Sequence, residues 1–185
     1  MTSPLGYAEN LELHTAAYYG KLCMIRAILK VGIPSINVPN VDGNTPLMMA
    51  LYGPVKKIKL EVIKLLLLHG ADINMVNKKG DSALHAAVQG VLIGNVSRSC
   101  VEKLLENGAD IRITNDRGKT ATQLVYGEKC KKLRNCLLHY SDRKIEEEGS
   151  KSSWKSSLRN QCANVYEIMT NMDKFALTSG LRDTS

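Results

Sequence analysis

Leu66-Leu67-Leu68-His69-Gly70-Ala71-Asp72 and Leu104-Leu105-Glu106-Asn107-Gly108-Ala109-Asp110 close on the same Gly-Ala-Asp after a leucine pair. Each is followed by Asn-x-x-Gly, at Asn77–Gly80 and Asn115–Gly118, and then by a run of small residues. A module this short cannot bury its apolar face against itself. Its recurrence at a nearly fixed period therefore predicts a stack in which each copy is covered by its neighbours.

Working outward, Gly43, Gly80 and Gly118 lie 37 and 38 residues apart, each ahead of a small-residue run. The runs read Thr45-Pro46-Leu47-Met48-Met49-Ala50, Ser82-Ala83-Leu84-His85-Ala86-Ala87 and Thr120-Ala121-Thr122-Gln123-Leu124-Val125. A worn earlier copy reads Leu11-Glu12-Leu13-His14-Thr15-Ala16-Ala17-Tyr18-Tyr19-Gly20. Thr45, Ser82 and Thr120 are residue types that cap a helix start by accepting from its free backbone N–H groups. Pro46 suits the first helical position, where no N–H is needed. Alanines keep this inner helix thin, and Gly20, Gly53, Gly90 and Gly127 are expected to end it in the left-handed conformation. Apolar pairs at Ile28-Leu29, Leu66-Leu67, Leu104-Leu105 and Leu137-Leu138 mark an outer helix in each copy, closed by Gly32, Gly70 and Gly108 in the first three.

These units resemble ankyrin repeats. Thr45-Pro46-Leu47 and Leu84-His85-Ala86-Ala87 keep much of that family's Thr-Pro-Leu-His-x-Ala signature, and the likeness covers about residues 8–140. It implies an all-α solenoid of stacked helix-turn-helix units with short β-turn fingers. Four units are predicted, over about 8–39, 40–76, 77–114 and 115–140. The charged, serine-rich stretch 141–153 reads as a linker. Trp154, Leu158, Cys162, Val165, Met169 and Met172 recur at helical spacing and predict a helix over 154–176, with 177–185 a frayed tail.

The period exceeds the roughly 33 residues of an ankyrin unit, and the excess can be located. The capping position stands 17 residues ahead of the apolar pair in units one and four, Leu11 to Ile28 and Thr120 to Leu137. The spacing is 21 in unit two, Thr45 to Leu66, and 22 in unit three, Ser82 to Leu104. Residues are thus inserted between the inner and outer helices of the middle units, at Gly53–Leu60 and Gly90–Cys100. Both insertions should project from one edge, with Lys56, Lys57, Lys59 and Arg98 as its charge. Met48 and Gln123 replace the signature His, and Tyr140 replaces a closing Gly, which reads as a terminal cap.

The net charge of +7 resides in the repeats: the chain to Tyr140 holds 18 Lys+Arg against 11 Asp+Glu, and the remainder is balanced. Clusters at Lys56–Lys59 and Lys129–Arg134 could attract nucleic acid, acidic protein or anionic lipid, or simply solvate a helix face. Five cysteines without a close Cys-x-x-Cys pair fit reduced, mostly buried thiols in an intracellular protein better than a disulfide framework. Residues 1–10 lack the pattern of a secretory leader. The longest apolar stretch, Val62–Leu68, is broken by Lys64 and too short to span a bilayer.

No catalytic, cofactor-binding or metal-ligating constellation emerges. His14 and His85 occupy the signature position, His69 and His139 end outer helices, and no phosphate-binding glycine loop or paired ligand cysteines occur. The expected function is therefore binding. Ankyrin repeats hold protein partners with finger turns and a concave inner-helix face. Mapped onto this sequence, the turns offer Val41, Asp42 and Asn44, then Lys78, Lys79 and Asp81, then Asp116, Arg117 and Lys119. The inner face offers Tyr18, Tyr19, Tyr52, Gln89 and Tyr126, tyrosine being a good anchor because its rigid ring buries area at low entropy cost. An intracellular adaptor or inhibitor, monomeric when free, is the first reading, and its basic turns suit a partner with an acidic patch. The alternatives are a nucleic-acid-contacting module, for which interleaved aromatics are lacking, and a targeting subunit whose 154–176 helix recruits an effector.

Overall fold

Two residues set the start of successive inner helices. Thr45 stands extended ahead of α3 (Pro46–Tyr52), its hydroxyl accepting from Met48 N, and Ser82 stands likewise ahead of α5 (Ala83–Ile93). The computed structural model describes residues 5–32, 35–125 and 131–148. The chain divides into two units, Met1–Val125 and Tyr126–Ser185. In the first, α1 (Leu5–Tyr19) pairs with α2 (Leu22–Val31), α3 with α4 (Lys59–Leu68), and α5 with α6 (Arg98–Glu106). A 3-10 turn, Thr122–Leu124, follows. Inner helices α1, α3 and α5 pack in series, and α6 lies beside α4. Among the described residues extended pairing is confined to isolated bridges, Val76 with Ser82 and Thr114 with Thr120.

The core follows the sequence pattern. Ala16, Ala17, Ala50, Ala86 and Ala87 are buried on the inner helices, and Ile25, Val62, Ile63, Leu66, Val101 and Leu104 on the outer ones. Each fully buried leucine contributes about 1.5–3 kcal/mol of transfer free energy, which a lone helix pair could not collect. Cys100 is buried as expected, whereas Cys23 is exposed.

The glycines behave less uniformly than expected. Gly20, with φ +67°, ends α1 in the left-handed region. Gly53 ends α3 at an ordinary φ of −56°. Its absent side chain matters because a Cβ there would overlap the Tyr18 carbonyl oxygen at the end of α1. Gly90 ends nothing: α5 runs on to Ile93 and is capped by left-handed Gly94. A Cβ on Gly90 would stand 3.0 Å from Val96 Cβ and overlap Cγ2 of that buried residue. Gly127 lies outside the described residues.

The insertions are therefore built rather than slack. In unit three the extra residues prolong α5 and return through a turn whose Asn95 N and Val96 N donate to Gly90 O at 2.8 and 3.0 Å. In unit two they let Lys59 fold inward, where its ammonium donates to Leu51 O at 2.6 Å and to Gly53 O, capping α3. Lys56 Nζ donates to Gly94 O at 3.0 Å and ties one insertion to the other.

In the second unit, α7 (Lys131–Glu148) carries buried Leu133 and Leu137. It continues through residues 141–148, which composition had placed in a linker. Lys, Arg and Glu are strong helix formers, and with Tyr140 in place of a glycine nothing stops the helix there. The 154–176 segment lies outside the described residues.

Candidate protein-binding surface

Each finger is a turn organised by one asparagine. Asn40 Oδ1 accepts from Asp42 N and Asn44 N, both at 2.9 Å. Asn77 Oδ1 accepts from Lys79 N and Asp81 N at 2.9 and 3.0 Å. Asn115 Oδ1 accepts from Arg117 N and Lys119 N, both at 3.1 Å. A side chain that closes its own turn leaves the backbone little freedom. The turns are also tied in series: Lys78 N donates to Asp42 O at 3.1 Å and Asp116 N to Lys79 O at 3.0 Å.

These ties divide the turn residues singled out from sequence. Val41, Asp42, Lys78, Lys79, Asp116, Arg117 and Lys119 are exposed. Asn44 and Asp81 are not surface residues, at 9% and 7% exposure. Asn44 Oδ1 accepts from Asn77 Nδ2 at 2.8 Å, and Asp81 Oδ1 from Asn115 Nδ2 at 2.9 Å. They are rungs between fingers. Their polarity looked like a surface signal because a buried acceptor and an exposed one are spelled with the same residues.

On the inner face Tyr19 is 51% exposed and lies edge-to-face against half-buried Tyr18, centroids 5.0 Å apart. Lys21 Nζ stands 5.8 Å from the Tyr19 centroid, within cation–π reach. Tyr52 is half-buried. Burial, then the Asp81 carboxylate, raises its phenol above the ordinary range, partly offset by a hydrogen bond with Asn77. It ties α3 to the second finger and offers only part of its ring. Gln89 is half-buried, with exposed Leu92 and Ile93 a turn further along α5. Tyr126 lies outside the described residues.

The lateral edge offers less charge than the sequence implied. Lys59 is buried, and burial lowers its ammonium below the ordinary 10.5, an effect reduced by the neighbouring Cys100. Arg98 pairs with Glu102 at 3.0 Å, and Lys56 is held by Gly94. Lys57 is exposed.

The two signature-position histidines are structural. His85 Nδ1 accepts from Ser82 N at 3.2 Å, so the proton sits on Nε2, which donates to Lys119 O at 3.0 Å. His14 Nε2 reaches Asn44 O at 3.1 Å in the same way. Gln123 keeps half of this role, its Oε1 accepting from Thr120 N at 2.9 Å.

A family model described as ankyrin repeats (3 copies) matches residues 13–115 and again 55–146. The chain belongs to the ankyrin-repeat family. A stretch of 75 residues, 40% of the chain, is 37% identical to E3 ubiquitin-protein ligase KEG of Arabidopsis thaliana. The matched stretch spans 4% of that much longer protein. Ankyrin repeats are non-catalytic scaffolds for protein interaction. Among the described residues no group of three or more His, Cys, Asp or Glu side chains could hold a metal ion. No described helix is long and apolar enough to cross a membrane.

Knowing the family explains the Gly-Ala-Asp recurrence. Asn37 Oδ1 accepts from Asp72 N at 2.7 Å while its Nδ2 donates to Gly70 O at 3.3 Å. Asn74 does the same one ankyrin unit later, with Asp110 N at 2.8 Å and Gly108 O at 3.2 Å. The turn recurs because a neighbouring amide clamps its ends. The signal was present as Asn recurring at 37 and 74, but its meaning needs the contact across units.

Proposed function

We propose that this protein is an intracellular adaptor or inhibitor, monomeric when free, whose four-unit domain over about residues 8–140 binds a protein partner. The contact surface comprises the exposed turn residues Val41, Asp42, Lys78, Lys79, Asp116, Arg117 and Lys119 together with Tyr19 and Gln89 of the inner face. One observation carries the reading. The finger backbones are fixed by their own asparagines while their tips project bare, so binding orders little that is not already ordered. On the outer helices α4 and α6, by contrast, the carboxylates are engaged by local cations, at Lys64–Glu61, Arg98–Glu102 and Lys103–Glu106.

A photo-crosslinking amino acid placed at Lys78 or Gln89, and separately at Lys64 or Lys103, tests this in the native cell. Adducts with a protein are expected from the first pair of positions. Adducts from the outer-helix positions alone refute the reading, and adducts that vanish on nuclease treatment replace it with nucleic-acid binding.

A further inference from the structure

On α4 and α6 the cations outside the core are neutralised where they stand: Lys64 by Glu61 at 3.0 Å, Arg98 by Glu102 at 3.0 Å and Lys103 by Glu106 at 3.1 Å. The second and third fingers differ. Lys78, Lys79, Arg117 and Lys119 are all exposed, and among the described residues none is paired with a carboxylate. Their backbones are anchored through Asn77 and Asn115, and Lys79 O accepts from Asp116 N at 3.0 Å, so the four cations share one joined platform. Like charges gathered on adjoining turns repel one another, an arrangement that favours neutralisation from outside. The first finger carries none of them: it presents Asp42 beside Val41, which is 84% exposed.

We infer that fingers two and three dock an acidic segment of the protein partner through Lys78, Lys79, Arg117 and Lys119, and that this segment gives way to an apolar residue over Val41. The inference rests on the finger-and-inner-face reading above and adds the partner's chemistry. A nucleic acid fits less well, because its regularly spaced phosphates would run on over the first finger and meet exposed Asp42 there. The fingers, moreover, contain no aromatic ring on which a base could stack.

The test pans a displayed random-peptide library against the intact chain and titrates the enriched peptides, with a mixed-sequence single-stranded RNA in parallel. Peptides rich in Asp and Glu are expected. Their affinity should fall about tenfold in Lys78→Glu/Lys79→Glu, the worth of a few exposed pairs, and stay unchanged in Arg26→Glu/Lys30→Glu, which alters net charge equally on α2. Binding should also weaken as salt rises. Enriched peptides without acidic residues that are lost on Tyr19→Ala overturn the acidic docking and leave the inner-face reading standing. A library that yields no binder, or RNA that binds as tightly and is released by the same reversal, overturns the inference.

Discussion

Gly90 lies in the interior of α5, where helix propensity alone predicts that Ala would be stabilising by about 0.5–1 kcal/mol. The packing predicts the opposite sign. A Cβ there would overlap Val96 Cγ2 and stand 3.0 Å from Val96 Cβ, and Val96 is 2% exposed with its N–H bonded to Gly90 O. A β-branched side chain so held cannot swing aside, and overpacking of this kind costs about 1–3 kcal/mol. Gly90→Ala is therefore expected to destabilise by about 0.5–2 kcal/mol after the propensity gain. Val96→Ala alone removes two buried methyl groups and should cost about 2 kcal/mol. In the double variant the clash with Cγ2 is gone, so adding Ala at 90 becomes neutral or stabilising by a few tenths. The two changes should then couple by roughly 1–2 kcal/mol. Urea titration followed by circular dichroism reads this as midpoint shifts at constant slope, with thermal midpoints moving about 3–6 °C per kcal/mol. If Gly90→Ala equals or exceeds the native stability, or if the two changes add independently, Val96 does not fill the space above Gly90. The insertion would then not be a packed bracket.

Gly53→Ala changes no backbone preference, yet its Cβ meets the Tyr18 carbonyl of α1; a loss of about 3 kcal/mol in urea melts is expected. His85→Ala removes the Ser82 capping partner and the tie to Lys119 O, at a cost of about 2 kcal/mol by the same assay. Asn44 O, Asp81 O and Lys119 O each accept from the asparagine of their own finger, and the first and third also receive a histidine. Met48→His should supply the missing donor to Asp81 O and raise the unfolding free energy from urea melts by about 0.5–1.5 kcal/mol; an unchanged or lowered stability would count against the equivalence of the three seams. Lys59 titrates below 10.5 in the folded chain, so the unfolded chain holds more protons in that window and stability gains with rising pH up to 10.5. Tyr52 works the other way above its ordinary 10.0, because the unfolded phenol ionises first and stability then falls. The difference in urea midpoint between wild type and Lys59→Met should therefore shift in favour of wild type from neutral pH toward 10.5. A difference that is flat with pH would mean that Lys59 is not desolvated by the fold.

The sequence by itself determined the architecture. Thr45, Pro46 and Ser82 start helices by local chemistry, the leucine pairs fall at helical spacing, and a repeated module has no way to bury its apolar face except by stacking. The exposed tips were legible for the same reason, since a residue between two turn signals projects from the turn. What depends on a neighbour was not legible. Asn44 and Asp81 are rungs rather than contacts because the next asparagine lies over them. Lys59 is a helix cap rather than a surface charge because an insertion lets it turn inward. Gly53 and Gly90 are glycines for want of space, with Tyr18 and Val96 as the reasons, although each reads as a helix stop. Run 141–148 was misread from the other direction, as composition typical of linkers that is equally good for a helix. Local chemistry decided where the helices begin and which faces are apolar. Only the tertiary structure decided which polar groups are spent on the stack and which remain exposed, because that depends on atoms about one repeat away.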